Sequence, residues 1–188
     1  IWEDGKIKGP VHFDNGNEDQ LIEVFQDQEI KRTDWVFCSW RSHYKCLLKG
    51  VPPDEVKQKI LDGKSISLNF PDHRIFSSAI VGGNLPIAVG TALSIKRNSG
   101  SDRVFCFLGD MTAESGIFAE CLKYSTRHQL PIHYIIEDNG VSVCTSTQKV
   151  WGNEGGRNFC EYMNPMYVTY FTYKSKWKHA GTNKRIQF

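Results

Sequence analysis

Two apolar runs with an amphipathic stretch between them constrain this chain more than any other feature. The first is Arg103-Val-Phe-Cys-Phe-Leu108 and the second covers residues 132–136. Both are continuous rather than alternating, as strands buried on both faces of a parallel sheet are. Between them, residues 115–128 place Ile117, Phe118, Cys121 and Leu122 at helical spacing, and Pro131 interrupts before the second run. Strand, helix and strand in so short a span predict a βαβ unit and an α/β fold with a parallel sheet. Other segments fit that frame. Asn17 followed by Glu18 and Asp19 reads as a capped amphipathic helix to about residue 30, and residues 35–39 as a short buried strand. Pro53-Asp-Glu-Val56 starts another helix that Gly63 would end, and residues 85–97, rich in Ala and Gly, suit close packing on a sheet.

Composition narrows the class. A chain of 188 residues with 40% hydrophobic and 23% charged residues suits one domain with a packed core and excludes wholesale disorder. It begins at Ile1, which leaves the true start open. Its six cysteines form no Cys-x-x-Cys pair and sit mostly in apolar runs, as reduced core thiols do. Residues 75–95 carry no charge, but Gly82, Gly83, Asn84 and Pro86 interrupt them, so a membrane-spanning helix is not expected there. With no signal peptide visible, the expectation is a cytoplasmic protein. The net charge of +2 hides an asymmetry: eight acids against two lysines in residues 1–29, and no acid after Glu161.

The chemistry is expected where the two central strands end. Gly109-Asp110 follows the first and Asp138-Asn139 the second, and open α/β sheets bind ligands at the carboxyl ends of their strands. A carboxylate, an amide oxygen and a nearby backbone carbonyl are the hard oxygen donors that magnesium prefers. Equally, Asp110 would cap the following helix and Asn139-Gly140 would form a plain turn. Spacing alone leaves both open. No Gly-x-Gly-x-x-Gly follows a strand, Gly63-Lys64-Ser65 lacks the upstream glycine of a phosphate loop, and His-Glu-x-x-His and Gly-x-Ser-x-Gly are absent.

The interval adds a resemblance. Residues 112–137 put 26 residues between Gly109-Asp110-Met111 and Asp138-Asn139, a pattern similar to the thiamin diphosphate signature of Gly-Asp-Gly, about 26 residues and Asn-Asn. Four stretches in register, from Gly5 to Thr145, resemble the alpha subunit of the decarboxylating first component of 2-oxo acid dehydrogenase complexes, of pyruvate, branched-chain or acetoin type. They are Gly5-Lys-Ile-Lys-Gly9 with His12 and Gly16-Asn-Glu18; Trp40-Arg-Ser-His43 with Leu48-Lys-Gly50; Ile80-Val-Gly-Gly-Asn-Leu-Pro86; and residues 109–145 with Gln129-Leu-Pro131.

The resemblance implies a parallel-sheet thiamin diphosphate-binding fold with helices on both faces, residues 1–150 forming the cofactor domain and 151–188 a shortened extension of it. It implies magnesium held by Asp110, Asn139 and the carbonyl of Val141. Trp40, Arg41, Gly109, Met111 and Thr112 would face the diphosphate, and Ala79 and Val81 the aminopyrimidine ring. His43, and His179 five residues after Tyr173-Lys174, would stand near the phosphates or the substrate. A beta subunit would supply the activating glutamate in an alpha2beta2 assembly, and the acyl group would pass to a lipoyl-bearing acyltransferase. Two departures stand out: Met111 replaces the second Gly, which requires a negative φ and a side chain turned away, and Asp138 brings a charge where the pattern has Asn. The rival readings are a split transketolase or 2-oxo acid decarboxylase subunit, and a nucleic-acid module. The last would stack bases on Tyr167, Tyr170, Phe171, Tyr173 and Trp177 between Lys174, Lys176 and Lys178.

Overall fold

The computed structural model describes residues 4–152, 164–177 and 179. Cys160, Lys178, Lys184 and Arg185 lie outside them.

The elements in chain order are α1 (Glu18–Asp27), β1 (Trp35–Cys38), α2 (His43–Leu48), α3 (Pro53–Leu61), β2 (Asn69–Phe70), β3 (Ile75–Ser77) and α4 (Leu85–Arg97). They continue with β4 (Val104–Gly109), α5 (Asp110–Ala113), α6 (Gly116–Arg127), β5 (Ile132–Asp138), a hairpin of β6 (Val141–Ser142) and β7 (Thr145–Ser146), α7 (Thr147–Trp151) and β8 (Val168–Thr172). The main sheet runs β2-β3-β1-β4-β5-β8. All its pairings are parallel except the edge pair β2–β3.

The two central strands are buried along nearly their whole length because both faces are covered. On one face Val104, Cys106, Leu108, Ile132, Tyr134 and Ile136 pack under α4 and α6 through Leu85, Ala88, Ala92, Phe118 and Cys121. On the other, Val36, Cys38, Phe105, Phe107 and Ile135 pack under α1, α2 and α3 through Leu21, Val24, Cys46 and Val56. The α/β class and the helices on both faces are therefore as expected. Pro53 opens α3 where it was read, and the Ser115 side chain, not singled out in the sequence, caps α6 by accepting from the Phe118 amide. Cys38, Cys46, Cys106 and Cys121 are free and buried, whereas Cys144 is free and exposed.

Two expectations need correction. Asn17 stands at the N-cap of α1 but makes no side-chain cap bond. Its amide nitrogen donates to Glu137 at 3.0 Å, which turns the side chain into the interior, and its oxygen finds no partner among the described residues. The aromatic-basic tail is not a free stacking surface either. Residues 168–172 form β8, which pairs with β5 from Tyr134↔Val168 to Asp138↔Thr172. Tyr167 is buried and the Tyr170 hydroxyl donates to Asp138. The acidic head packs on the basic tail, with Glu18 taking Lys176 at 3.4 Å. Among the described residues no helix is long and apolar enough to cross a membrane.

Candidate functional site

The strand order turns at β1. The chain passes to β3 on one side and then crosses through α4 to β4 on the other. Segments leaving the carboxyl ends of β1 and β4 therefore diverge, and such a crevice is where open α/β sheets bind ligands. A cavity of about 370 Å³ lies at that edge. The turn after β1 gives it Ser39, Trp40 and Arg41; β4 and α5 give Gly109, Asp110, Met111 and Thr112; β5 and its following turn give Glu137 and Asn139. Val81, residues 141–144 of the hairpin, and Tyr173, Ser175, Trp177 and His179 complete the wall.

The expected oxygen donors meet here. Asp110, Asn139 and Val141 all line the cavity, drawn from the ends of two neighbouring strands paired as far as Gly109↔Glu137. Asp110 is buried and accepts from the Thr147 hydroxyl at 2.5 Å, so the first turn of α7 orients it. Asn139 Oδ1 accepts from the Val141 amide at 3.1 Å, a short turn that draws Val141 back towards the strand end. An amide oxygen has two lone pairs, so that bond leaves one for a metal. The capping and turn readings are thus compatible with the metal reading.

Arg41 is the one lysine or arginine among the lining residues. Its two terminal nitrogens donate to the carbonyls of Phe13 and His179, at 2.7 and 2.8 Å, and each nitrogen carries a second hydrogen. The buried indole N–H of Trp40 finds no acceptor among the described residues. His179 lies on the wall with its ring 4.3 Å from that of His12. Burial, reinforced by His12 and Arg41, pushes His179 down to about 4, so it is a neutral imidazole at neutral pH.

Both departures from the motif are accommodated. Met111 is not among the residues with positive φ, and its sulfur accepts from the Trp151 indole at 3.3 Å, so α7 holds the side chain. The Asp138 carboxylate is absent from the cavity wall. It accepts from the Gly140 amide at 2.8 Å and from the Tyr170 hydroxyl, so its charge lies in the β5–β8 seam.

Two expected site residues fall elsewhere. His43 does not line the cavity: its buried ring meets the Ser65 hydroxyl at 2.8 Å and stacks obliquely on Phe13, so it supports the segment behind the wall. Its assignment near the chemistry is corrected accordingly. Ala79 is exposed and also off the wall, since only Val81 of that turn reaches it.

Sequence reasoning missed a buried charge cluster behind the cavity. Lys45 is fully buried, and its ammonium donates to Glu137 at 2.7 Å, to Asp14 at 3.1 Å and to the Arg41 carbonyl at 3.0 Å. Burial alone would lower the Lys45 pKa, but Asp14 and Glu137 outweigh it and raise it. Burial opposes ionisation of Asp14 as well, yet Lys45, His43 and the Tyr44 amide hold it below the usual carboxylate range. Glu137, where burial dominates, is raised. Lys45 therefore bridges both carboxyls, and Glu137, the one whose pKa burial raises, faces the cavity. Burial also lifts the neighbouring Tyr173 phenol to about 12. The one sequence signal for this cluster was a Glu placed at the end of an otherwise apolar buried strand.

Residues 2–154, which hold every oxygen donor named above, match the family model described as Dehydrogenase E1 component. The chain belongs to that family. Among its relatives in the family, the pyruvate dehydrogenase E1 component subunit alpha of Rickettsia prowazekii is 31% identical over 155 residues, covering 77% of this chain and 47% of that protein. The chloroplastic subunit alpha-3 of Arabidopsis thaliana is 28% identical, over 78% of this chain and 39% of its own length. The alpha subunit of acetoin:2,6-dichlorophenolindophenol oxidoreductase from Cupriavidus necator is 28% identical, covering 76% and 45%. This E1-family chain thus spans less than half the length of these curated relatives. Among solved structures, a thiamin diphosphate-dependent enzyme from Mycobacterium smegmatis aligns with 70% of this chain and 22% of its own, at 20% identity and TM-score 0.46.

Proposed function

We propose that this chain is an alpha-type subunit of a thiamin diphosphate-dependent 2-oxo acid dehydrogenase, holding magnesium and the cofactor diphosphate and active with a beta-type subunit. The observation that carries this reading is the meeting of Asp110, Asn139 and Val141 with Arg41 on one cavity at the carboxyl ends of β1, β4 and β5. The donor set fits the group. Carboxylate, amide oxygen and carbonyl suit a hard cation that keeps phosphate and water as its remaining ligands. The free hydrogens of Arg41 and the partnerless indole N–H of Trp40 suit phosphate oxygens.

Thiamin diphosphate, when bound, would supply a nucleophilic carbon for decarboxylation of a 2-oxo acid. This chain's residues bind and orient. Asp110 and Asn139 hold the metal, with Thr147 fixing the Asp110 rotamer. Arg41 offsets diphosphate charge, steadied by the Phe13 and His179 carbonyls. Val81 would face the ring system, and Met111, though it lines the cavity, has its sulfur drawn towards Trp151. The raised Glu137 adds no fixed negative charge to that side when it carries its proton. Such preorganised electrostatics are the contribution a protein makes to cofactor chemistry. The activating glutamate, the alpha2beta2 assembly and a lipoyl-bearing acyltransferase as acyl acceptor are assigned to partners in this proposal.

The test is calorimetric titration of thiamin diphosphate with magnesium into the folded chain, alone and with the protein encoded beside it. Binding in one of the two mixtures, lost in Asp110→Ala while the fold persists, is the expected result. No binding in either mixture refutes the assignment.

A further inference from the structure

The wall of the cavity after β8 has no regular structure of its own. Residues 173–177 and 179 carry Tyr173, Ser175, Trp177 and His179 into it, beyond the last ladder pair at Thr172. What holds this wall is the segment just before α1. Asn15 is 4% exposed, and its side-chain oxygen accepts from the Lys176 amide at 2.5 Å and the Trp177 amide at 3.1 Å, while the single proton of the Ser175 hydroxyl is shared between that oxygen at 3.0 Å and the Trp177 carbonyl at 2.8 Å. Its own amide nitrogen donates to the Phe13 carbonyl at 3.0 Å, which fixes the orientation of the oxygen. At Gly16, with φ +77°, an added Cβ would lie 2.2 Å from the Lys174 carbonyl, so the two segments touch backbone to backbone. The Phe13 ring packs edge-on against Trp177, and the Phe13 carbonyl that anchors Asn15 also takes Arg41.

We infer that Asn15 is a positioning residue for the cofactor site: by accepting from the Lys176 and Trp177 amides it sets the wall that carries Trp177 and leads to His179, and through Phe13 it shares the anchor of Arg41. No regular secondary structure could supply this role. Two backbone N–H groups of an irregular segment need an acceptor that is itself buried and fixed, and a side-chain amide bonded at both ends provides one. Asn15 does not itself line the cavity, so its effect on ligands is transmitted by the wall segment it bonds.

The inference rests on the proposed cofactor site for its functional half, and the experiment separates the two. Hydrogen exchange of the folded chain, without ligand, should show protected amides at Lys176 and Trp177. In Asn15→Ala, exchange at residues 173–177 should rise about tenfold or more while the amides of β4 and β5 stay unchanged. Asn15→Asp, which keeps an acceptor for the two amides but loses the donor to the Phe13 carbonyl, should retain more of the protection than Asn15→Ala. Thiamin diphosphate with magnesium should bind Asn15→Ala about tenfold more weakly. Unprotected Lys176 and Trp177 amides in the unaltered chain would overturn the inference, and that measurement needs no variant to fold. So would a change spread evenly over the sheet, or an unaltered affinity in a variant whose wall has loosened. Absence of cofactor binding by the unaltered chain would refute the proposed function, while the exchange data would still decide whether Asn15 holds the wall.

Discussion

Lys45→Met keeps the length and apolar stem of the side chain and removes its charge. In the folded chain the three ammonium protons of Lys45 go to Glu137, Asp14 and the Arg41 carbonyl, all out of water. The consequences for the two carboxyls differ. Glu137 is already raised by burial, and without Lys45 it takes up a proton at little cost. Asp14 is held ionised mainly by Lys45 against burial, with His43 at 3.9 Å and the Tyr44 amide as lesser supports. It becomes a buried charge without its main counter-ion. Deleting one partner of a buried pair costs about 3–5 kcal/mol, against a typical total stability of about 5–15 kcal/mol. At about 2–4 °C of Tm per kcal/mol for a chain of this size, the expected fall is about 6–20 °C. Urea and thermal unfolding followed by circular dichroism read it directly. Adding Asp14→Asn removes the orphaned charge while keeping an acceptor for the Tyr44 amide, so the double variant should recover at least about half of the loss. A single-variant loss below about 1 kcal/mol, or a double variant in which both losses simply add, would refute the reasoning.

Two further outcomes are expected. His12, His43, His133 and His179 all have lowered pKa values, with burial the leading cause in each. Because the unfolded imidazoles titrate near 6.5 and the folded ones below it, protons favour the unfolded chain. Stability should be full above about pH 6.5 and decline as the pH falls towards about 4, where His179 titrates. A Tm unchanged between pH 7 and pH 5 would contradict this burial. Met111→Gly should destabilise by about 1 kcal/mol, through helix propensity and loss of the Trp151 contact. Its affinity for thiamin diphosphate, measured by calorimetry, should stay within about threefold, since the backbone already has the φ it needs.

The site was legible in the sequence to an uneven degree. Asp110, Asn139, Val141, Arg41 and Trp40 were readable because their positions follow from strand ends and fixed intervals along one stretch of chain. Each does line the cavity. His43 misled because a histidine two residues after Arg41 lies, in α2, on the Ser65 side rather than the cavity side. Lys45, Asp14 and Asn15 carried no signal at all. Their partners lie 92, 31 and 160 residues away in sequence for the Glu137, Asp14 and Ser175 bonds, and nothing local marks such pairings.

What the sequence by itself determined is therefore whatever has a short period or a short interval. Continuous apolar runs can be satisfied only by strands covered on both faces, and 3.6-residue periodicity only by helices lying on them. That combination made the α/β class, the parallel core and the crevice at the carboxyl ends of β4 and β5 readable in advance. Tertiary structure alone decided that residues 168–172 become a sixth strand of the sheet rather than a basic tail. It also made Asp138, expected beside a metal, the partner of Tyr170, and drew the Asn17 amide nitrogen to Glu137. The physical reason is the same in each case. A buried polar group goes to whichever partner the fold brings within reach, because leaving it unpaired costs more than any local preference supplies.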